Sequence, residues 1–196
     1  MPTPERTSLE AMIEAARDIM ESQGIAQLTM QAVAERCGVR APSLYKRVRN
    51  RDELLRLVAE NALLALEAHL RAVPAAADPR VKLVEVLRAF RAFAHQRPAA
   101  YRLIFMSAPA AGVTDPALLT RAAGPLLELA AELAGADQAL NAARTVTAWA
   151  HGFIGMELAD AFNLGGDVDA AYEFGMDHLA AALASAGTAE HDANCR

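Results

Sequence analysis

The stretch that decides the fold is residues 27–57, QLTMQAVAERCGVRAPSLYKRVRNRDELLRL. Its first part has apolar residues at i, i+3, i+4 and i+7, and this spacing predicts a short helix with one buried face. Those residues are Met30, Val33, Ala34 and Cys37. Thr29 can cap the start of the helix with its hydroxyl, and Gly38 stands where a left-handed residue is needed to end it. The sequence therefore predicts a helix over residues 30–37.

A second short helix is predicted directly afterwards. Pro42 would lie in its first turn, where a missing N–H costs nothing, and Leu44 and Val48 would point inward. The residues left facing outward are Ser43, Lys46 and Arg47. Two short helices joined by a tight turn that contains glycine form a helix-turn-helix, whose second helix enters the major groove of DNA. Asn50 with Glu53 marks the start of the next helix.

Positive charge is concentrated on this motif. Residues 36–56 hold seven basic residues against two acidic ones, a local net charge of +5, although the whole chain carries −5. Binding to DNA neutralises phosphates and releases counterions, so a concentrated basic face matters more than the overall charge. The alternative is a solvated basic loop between two ordinary helices. Because the charge lies on the outward side of the turn, the pattern favours a nucleic-acid-binding surface.

The motifs LTMQAVAERCGV (28–39) and PSLYKRVRNRDELL (42–55) closely resemble the DNA-binding domain of the TetR family of transcriptional regulators. The resemblance covers roughly residues 8–57. It implies a regulator, usually a repressor, that binds an operator as a homodimer and is released by a small effector. One departure is Val48, which stands where many members have a phenylalanine. Val48 is smaller, so another residue must fill the space under the recognition helix.

The helix-turn-helix geometry assigns roles to individual residues. Side chains near the start of the second helix are placed for base edges, and an arginine there can bind guanine with two hydrogen bonds. This set is Arg40, Ala41, Pro42 and Ser43. Other residues are predicted to hold phosphates or to add charge. They are Thr29, Tyr45, Lys46, Arg47 and Arg51. The alternative for Tyr45 is a ring packed on the first helix.

The composition of the 196 residues favours an all-α protein. Apolar residues make up 54% and aromatic residues 5%, and the most frequent residues, Ala and Leu, are strong helix formers. No uncharged stretch approaches the ~18–20 residues that span a bilayer, and the N-terminus has no apolar signal region. The two cysteines, Cys37 and Cys195, are far apart in sequence and give neither a disulfide framework nor a zinc spacing. We expect a soluble cytoplasmic protein.

The pattern along the chain predicts about nine helices in two domains. Residues 1–52 form the helix-turn-helix domain, whose first helix begins with a capping box of Thr7 and Glu10. A bridging helix starts near residue 51, and residues 53–186 form a helical bundle for effector binding and dimerisation. Residues 187–196 read as a disordered tail. Two long helices, about 138–163 and 168–184, are predicted to form the homodimer interface, because apolar residues cover two sides of the first and one side of the second. In the second these are Tyr172, Met176, Leu179 and Leu183.

The second half also resembles a TetR subfamily with a "W…HG" signature, through TAWAHGF (147–153) and HQRPAAYRLIFM (95–106). That resemblance implies a small hydrophobic effector. Aromatic and neighbouring residues that could line a cavity between helices are Phe90, Phe93, Tyr101, Phe105, Met106, Trp149, His151 and Phe153. The same residues can simply fill the core. No charged residue stands in these apolar faces, so the expected effector is uncharged or weakly polar.

Two other classes of function fit the sequence less well. An enzyme has no support, because the chain has no G-x-S-x-G, no phosphate-binding glycine loop and no HExxH. The five histidines are scattered over separate segments, so neither a metal site nor a cofactor is predicted. A helical adaptor that binds only protein is the second class. The basic recognition helix argues against it, and salt-dependent binding of a duplex would separate the two.

Overall fold

The structure, a computed structural model, describes residues 8–105 and 115–194, the last eight of them by backbone alone. Met106, one of the predicted effector residues, lies outside the described residues. Within those ranges the chain forms helices and no strands, so the predicted all-α class is confirmed. The helices are α1 (Leu9–Gln23), α2 (Met30–Cys37), α3 (Ala41–Leu44), α4 (Arg51–Arg71), α5 (Pro79–Gln96), α6 (Pro98–Phe105), α7 (Pro116–Ala134), α8 (Ala139–Glu157) and α9 (Val168–Asn194), with a 3₁₀ turn over Ile25–Gln27. No helix in the described part is long and apolar enough to cross a membrane.

The chain divides into two compact units. The first consists of Met1–Ala65 and Gln96–Leu119, and the second of Leu66–His95 and Thr120–Arg196, as far as each is described. Helix α4 runs from the first unit into the second, and α6 belongs to the first. The domain boundaries predicted from the sequence stay a prediction, and they did not anticipate that α6 groups with the helix-turn-helix.

The first unit has a core made by α1, α2, α3, α4 and α6. Its fully buried side chains include Met12, Val33, Leu44, Leu54 and Leu103. The predicted cap of α1 is wrong. The Ser8 hydroxyl accepts the N–H of Ala11 at 3.1 Å, so Ser8 caps the helix, one residue beyond the predicted Thr7, which lies outside the described residues.

The second unit buries aliphatic and aromatic side chains of α5, α8 and α9. Buried residues include Leu87, Phe93, Val146, Ile154 and Met176. Alanines of α7 and α8 form a smaller cluster, against which Leu183 of α9 packs. Alanine allows the helices to approach closely, and the leucines that pack against this cluster are Leu126, Leu127 and Leu183. The prediction that one apolar side of α9 belongs to the dimer interface is corrected in part. Tyr172 and Met176 are fully buried within the chain itself, since their side of α9 faces the unit's own core.

Two predicted ends differ from the structure. Helix α8 stops at Glu157 rather than near residue 163, because the chain turns tightly there: the N–H of Ala161 donates to the carbonyl of Met156 at 2.9 Å, and Asp160 has a φ of 50°. The tail predicted to be disordered from residue 187 has a helical backbone to Asn194. Residues 185–194 contain three alanines and no proline, so nothing in them forces the helix to stop.

Candidate nucleic-acid interface

Helix α2 is held at both ends as the sequence predicts. The Thr29 hydroxyl accepts the N–H of Ala32 at 3.0 Å, which satisfies one of the donors left over in the first turn. At the other end Gly38 is left-handed, with φ 68° and ψ 34°. The N–H of Val39 then donates to the carbonyl of Ala34 at 2.9 Å, which turns the chain sharply toward α3. The tight turn of the helix-turn-helix is therefore confirmed.

The recognition segment, which we define as residues 40–47, begins with extended backbone at Arg40 and continues as α3 and one further turn. Leu44 and Val48 anchor the recognition segment in the core of the first unit, where their side chains are 0% and 1% exposed. The side chains of Arg40, Pro42, Tyr45, Lys46 and Arg47 are exposed, and Ala41 and Ser43 are half-buried. The predicted base-reading residues thus lie next to one another on the recognition segment, and each is at least partly exposed. Tyr45, at 53% exposure, is not packed into the core.

The basic residues of residues 36–56 differ in how far their charge is already engaged. Some are paired within the first unit: Arg36 with Asp18 at 3.3 Å, Arg49 with Glu53 at 3.3 Å, and Arg56 with Glu60 at 2.5 Å. In contrast, neither Arg40 nor Lys46 has a carboxylate within 4.0 Å among the residues the structure describes. The charge available to a phosphate or a base is therefore smaller than the sequence count, and it is concentrated on the recognition segment.

Helix α4 begins as predicted, with an unexpected partner for its first residue. The N–H of Glu53 donates to Oδ1 of Asn50 at 2.9 Å, so Asn50 is the cap. The backbone N–H and the guanidinium of Arg49 hydrogen-bond the Glu53 carboxylate and hold its pKa below the ordinary value. The guanidinium of Arg51 donates to backbone carbonyls, through Nε to Leu28 at 2.5 Å and through Nη2 to Ile25 at 2.8 Å.

These two bonds give Arg51 a role that the sequence analysis missed. It ties the start of α4 to the segment that leads into α2. The prediction that Arg51 adds charge toward phosphates took account of its place at a helix N-terminus but could not foresee partners more than twenty residues away.

Comparison with known proteins identifies the fold. A family model described as bacterial regulatory proteins, tetR family, matches residues 12–58, and one described as tetracyclin repressor-like, C-terminal domain, matches residues 83–179. The chain belongs to the TetR family of transcriptional regulators. TetR-family proteins are DNA-binding regulators rather than enzymes. The likeness to a "W…HG" subfamily stays a prediction.

Three similar proteins illustrate how much of the chain the resemblance to TetR proteins covers. The tetracycline repressor protein class A from transposon 1721 of Escherichia coli is 43% identical over 81 residues, which are 41% of this chain and 37% of that protein. A single-residue variant of TetR from Acinetobacter baumannii AYE, solved in complex with minocycline, is 27% identical with a TM-score of 0.65, covering 88% of this chain and 94% of the other. BioQ, solved with its natural double-stranded DNA operator, is 25% identical with a TM-score of 0.65, covering 91% and 98%.

The aromatic residues predicted for an effector site fall into several groups in this TetR-family chain. In the second unit Trp149 stacks on Tyr172 with ring centroids 5.0 Å apart, and Phe153 meets both rings. His151 packs edge-on against Phe90 at 5.2 Å. Phe93 lies 6.2 Å from the ring of His69. Tyr101 and Phe105 contact each other in the first unit.

Burial changes the ionisation of two predicted effector residues. Loss of solvent lowers the pKa of His151, which favours the neutral imidazole. Burial also raises the pKa of Tyr101 to about 12, so its phenol stays protonated. Both groups therefore present hydrogen-bonding atoms without charge.

Two depressions on the second unit lie elsewhere. One of about 330 Å³ is lined by Arg88, Arg91, Ala92, His95, Asp169 and Tyr172. Another of about 440 Å³ lies between charged residues of α5 and α9. None of the predicted effector residues lines either of them, so the predicted effector set remains a prediction. Among the described residues no group of three His, Cys, Asp or Glu side chains could hold a metal ion.

An ion-pair network joins α5 to the ends of α8 and α9. Arg91 binds the carboxylate of Glu157, with Nη2 2.5 Å from Oε1, and also Asp169 at 2.5 Å. His95 lies 3.2 Å from the same Glu157 carboxylate. The guanidinium of Arg91 lies 4.8 Å from the ring centre of Tyr172, whose hydroxyl donates to the carbonyl of Leu87 at 3.1 Å. The hydrogen bonds that the guanidinium donates to Glu157 and Asp169 raise the pKa of Arg91 above its ordinary value.

Proposed function

We propose that this TetR-family protein is a repressor that binds a near-palindromic operator as a homodimer and is released by a small, largely apolar effector. The observation that carries the proposal is the recognition segment. Its backbone is fixed by Leu44 and Val48, while its basic side chains Arg40 and Lys46 point away from the core without an internal carboxylate partner among the described residues. Such an arrangement leaves their charge available to DNA.

Within the recognition segment, the first turn is proposed to read bases. Arg40 stands at its start, where it can donate two hydrogen bonds to the O6 and N7 atoms of guanine, and Ala41 or Pro42 can contact a thymine methyl group. Ser43 completes this set. Thr29, Tyr45, Lys46 and Arg47 are proposed to contact phosphates, which positions the segment without reading sequence. The complex of BioQ with its operator supports DNA as the partner for this chain.

The homodimer is proposed to form through α8 and α9. Both helices expose large apolar side chains: Leu140 and Met156 on α8, and Phe174 on α9. Exposed apolar side chains are common at protein–protein contacts. A Cβ added at Gly152 would meet no atom of a neighbouring element within 4 Å, which leaves space there for a helix of a second copy.

Substitution at Gly152 tests this interface. Gly152→Ala should not destabilise the single chain, because alanine favours a helix and finds open space. In the proposed dimer the added methyl group would collide with the partner, so sedimentation at decreasing concentration should show weaker association. Unchanged association would remove Gly152 from the interface.

The effector is proposed to contact the aromatic side chains of the second unit, Phe90, Phe93, Trp149, His151 and Phe153. A neutral imidazole among aromatic rings suits an uncharged ligand that offers one hydrogen-bonding atom. The complex of the A. baumannii TetR variant with minocycline supports a small organic effector. Such a ligand acts by population shift, so it must bind the conformation that cannot fit the operator more tightly. A cytoplasmic location, with access to the chromosome, is part of the proposal.

Selection of bound fragments from a random duplex library at low ionic strength tests the proposal as a whole. We expect enrichment of two inverted half-sites with a fixed spacing of about one or more helical turns. Affinity for the selected duplex should fall steeply with added salt, because phosphate contacts release counterions. Recovery of no duplex would favour the alternative of a helical adaptor that binds only protein.

A further inference from the structure

Phe162 adds a fourth aromatic ring to the group formed by Trp149, Phe153 and Tyr172. Its ring centroid lies 4.8 Å from that of Phe153, and the two planes are tilted by 42°. Phe153 in turn meets Tyr172 edge-on at 5.0 Å. Phe162 is 36% exposed, whereas Tyr172 is fully buried. Phe162 therefore lies on the solvent side of the group and covers part of Phe153.

Phe162 belongs to a loop, whereas the rings that it packs with belong to helices. The loop, residues 158–167, joins α8 to α9. Its first turn is fixed, because the N–H of Ala161 donates to the carbonyl of Met156 at 2.9 Å. Residues 162–166 make no hydrogen bond to any other element that the structure describes. The ring of Phe162 is therefore held in place by its packing, and it can move without breaking a hydrogen bond outside the loop.

A ligand of this aromatic group needs space that one of the rings now fills. Neither of the two depressions described above is lined by Trp149, Phe153 or Phe162. A ligand that lies against Phe153 must therefore take the place of a neighbouring ring. Tyr172 and the Trp149 ring stacked on it are not available, because Tyr172 is fully buried and its hydroxyl donates to the carbonyl of Leu87 at 3.1 Å. Phe162 is the ring whose displacement costs least, since it is partly exposed and belongs to the loop.

The charged groups at the edge of the aromatic group are already paired with one another. The guanidinium of Arg91 lies 4.8 Å from the ring centre of Tyr172 and binds the carboxylates of Glu157 and Asp169. An ionic ligand would have to break one of these pairs. A flat ring without charge, in contrast, matches the shape and the polarity of the phenyl ring that it replaces. The site therefore suits an uncharged aromatic ligand.

We propose that Phe162 is a displaceable cover of the effector site, and that the effector is a planar, uncharged aromatic molecule whose ring takes the place of Phe162 against Phe153. The inference rests on the proposed function, which places the effector at the aromatic side chains of the second unit. Phe162 then determines specificity, because only a ligand that packs better on Phe153 than the phenyl ring does can displace it. The apparent affinity is reduced by the fraction of chains in which Phe162 covers the site.

The experiment compares Phe162→Ala with wild type and with Leu164→Ala. Leu164 is a matched control, because it lies in the same loop but its side chain is fully exposed, so its removal leaves the aromatic group unchanged. The probe is N-phenylnaphthylamine, an uncharged aromatic molecule whose absorption overlaps the emission of tryptophan. Trp149 is the only tryptophan in the chain, so energy transfer from it to the probe shows that the probe is bound near the aromatic group.

We expect Phe162→Ala to bind the probe about tenfold more tightly than wild type, because no ring has to be displaced. Leu164→Ala should bind it with wild-type affinity. Equal or weaker binding by Phe162→Ala, or an equal gain in Leu164→Ala, would overturn the role of Phe162 and leave the proposed function intact. No energy transfer from Trp149 in any of the three chains would overturn both this inference and the proposed effector site.

Nuclear magnetic resonance of wild type provides a test that does not depend on folding of the variants. Without the probe, the ring protons of Phe162 and Phe153 should show a nuclear Overhauser effect, because the two rings are in contact. Saturation with N-phenylnaphthylamine should abolish it. A contact that persists at saturation would show that the ligand does not displace Phe162, and the inference would be wrong.

Discussion

The indole ring of Trp149 occupies the space that a side chain at Gly175 would need. A Cβ placed on Gly175 would lie 2.2 Å from Cζ2 of Trp149, far inside van der Waals contact. The ring is held there by stacking on Tyr172, with an interplanar angle of 23°. Helices α8 and α9 therefore approach closely at the aromatic group proposed for the effector.

Gly175→Ala should destabilise the second unit. Alanine normally stabilises a helix by about 1 kcal/mol relative to glycine. Here the methyl group must displace Trp149 from its stack, and overpacking of this kind costs about 1–3 kcal/mol. Urea unfolding should show a lower midpoint, and the emission of Trp149 should shift. Trp149→Leu in the same chain should relieve the clash, so the double variant should lose less than the sum of the two single losses. Wild-type stability of Gly175→Ala would contradict the close approach.

Arg40→Ala and Lys46→Ala should separate base reading from phosphate binding. Loss of Arg40 should relax the preference at one base pair of each half-site by about 1–3 kcal/mol. Loss of Lys46 should weaken binding to all duplexes alike and reduce the salt dependence by about one ion per subunit. Titration of the selected duplex and of single-base variants at several salt concentrations measures both effects. Identical profiles for the two variants would refute this assignment of roles.

Arg51→Lys distinguishes an internal support from a phosphate contact. Lysine keeps the charge at the start of α4, but it cannot reproduce the two guanidinium bonds to the carbonyls of Ile25 and Leu28. We expect the first unit to lose about 1–3 kcal/mol of stability and every duplex to bind more weakly. Thermal unfolding with and without duplex gives both quantities. A lysine variant with wild-type stability and affinity would mean that charge alone matters at this position.

Arg91→Ala and Arg88→Ala form a matched pair on α5. Removal of Arg91 takes away the guanidinium that neutralises Glu157, whose side chain is 7% exposed, and leaves His95 beside that carboxylate. A buried carboxylate that loses its partner costs about 3 kcal/mol. Arg88 pairs with Glu173, and both side chains are 40% or more exposed, so its removal should cost less than about 1 kcal/mol. Chemical denaturation of the two variants should therefore differ clearly, and equal losses would contradict the buried character of the Arg91 network.

Local signals were enough to predict the helix-turn-helix. The cap at Thr29, the left-handed Gly38 and the cap at Asn50 each depend on residues no more than four positions away. Their geometry therefore follows from the nearby sequence. The bounds of α2 and the inward direction of Leu44 and Val48 were predicted for the same reason.

The long-range arrangement could not be predicted in the same way. Arg51 bonds to carbonyls of residues 25 and 28, and Glu21 to amides of residues 99 and 100. No periodicity links such distant positions. Tyr172 and Met176 form an apolar stripe that suits a dimer interface and a core equally, and the structure places both in the core. The spacing of apolar residues predicts which face of a helix is buried, but it does not predict which neighbouring element covers that face.

The central claim is that two recognition segments bind one duplex. Sedimentation velocity of the protein with the selected duplex, at low salt and then at increasing salt, tests it most directly. We predict a complex of two chains and one duplex that dissociates as the salt concentration rises. A protein that sediments as a monomer and leaves the duplex free at low salt would contradict the account.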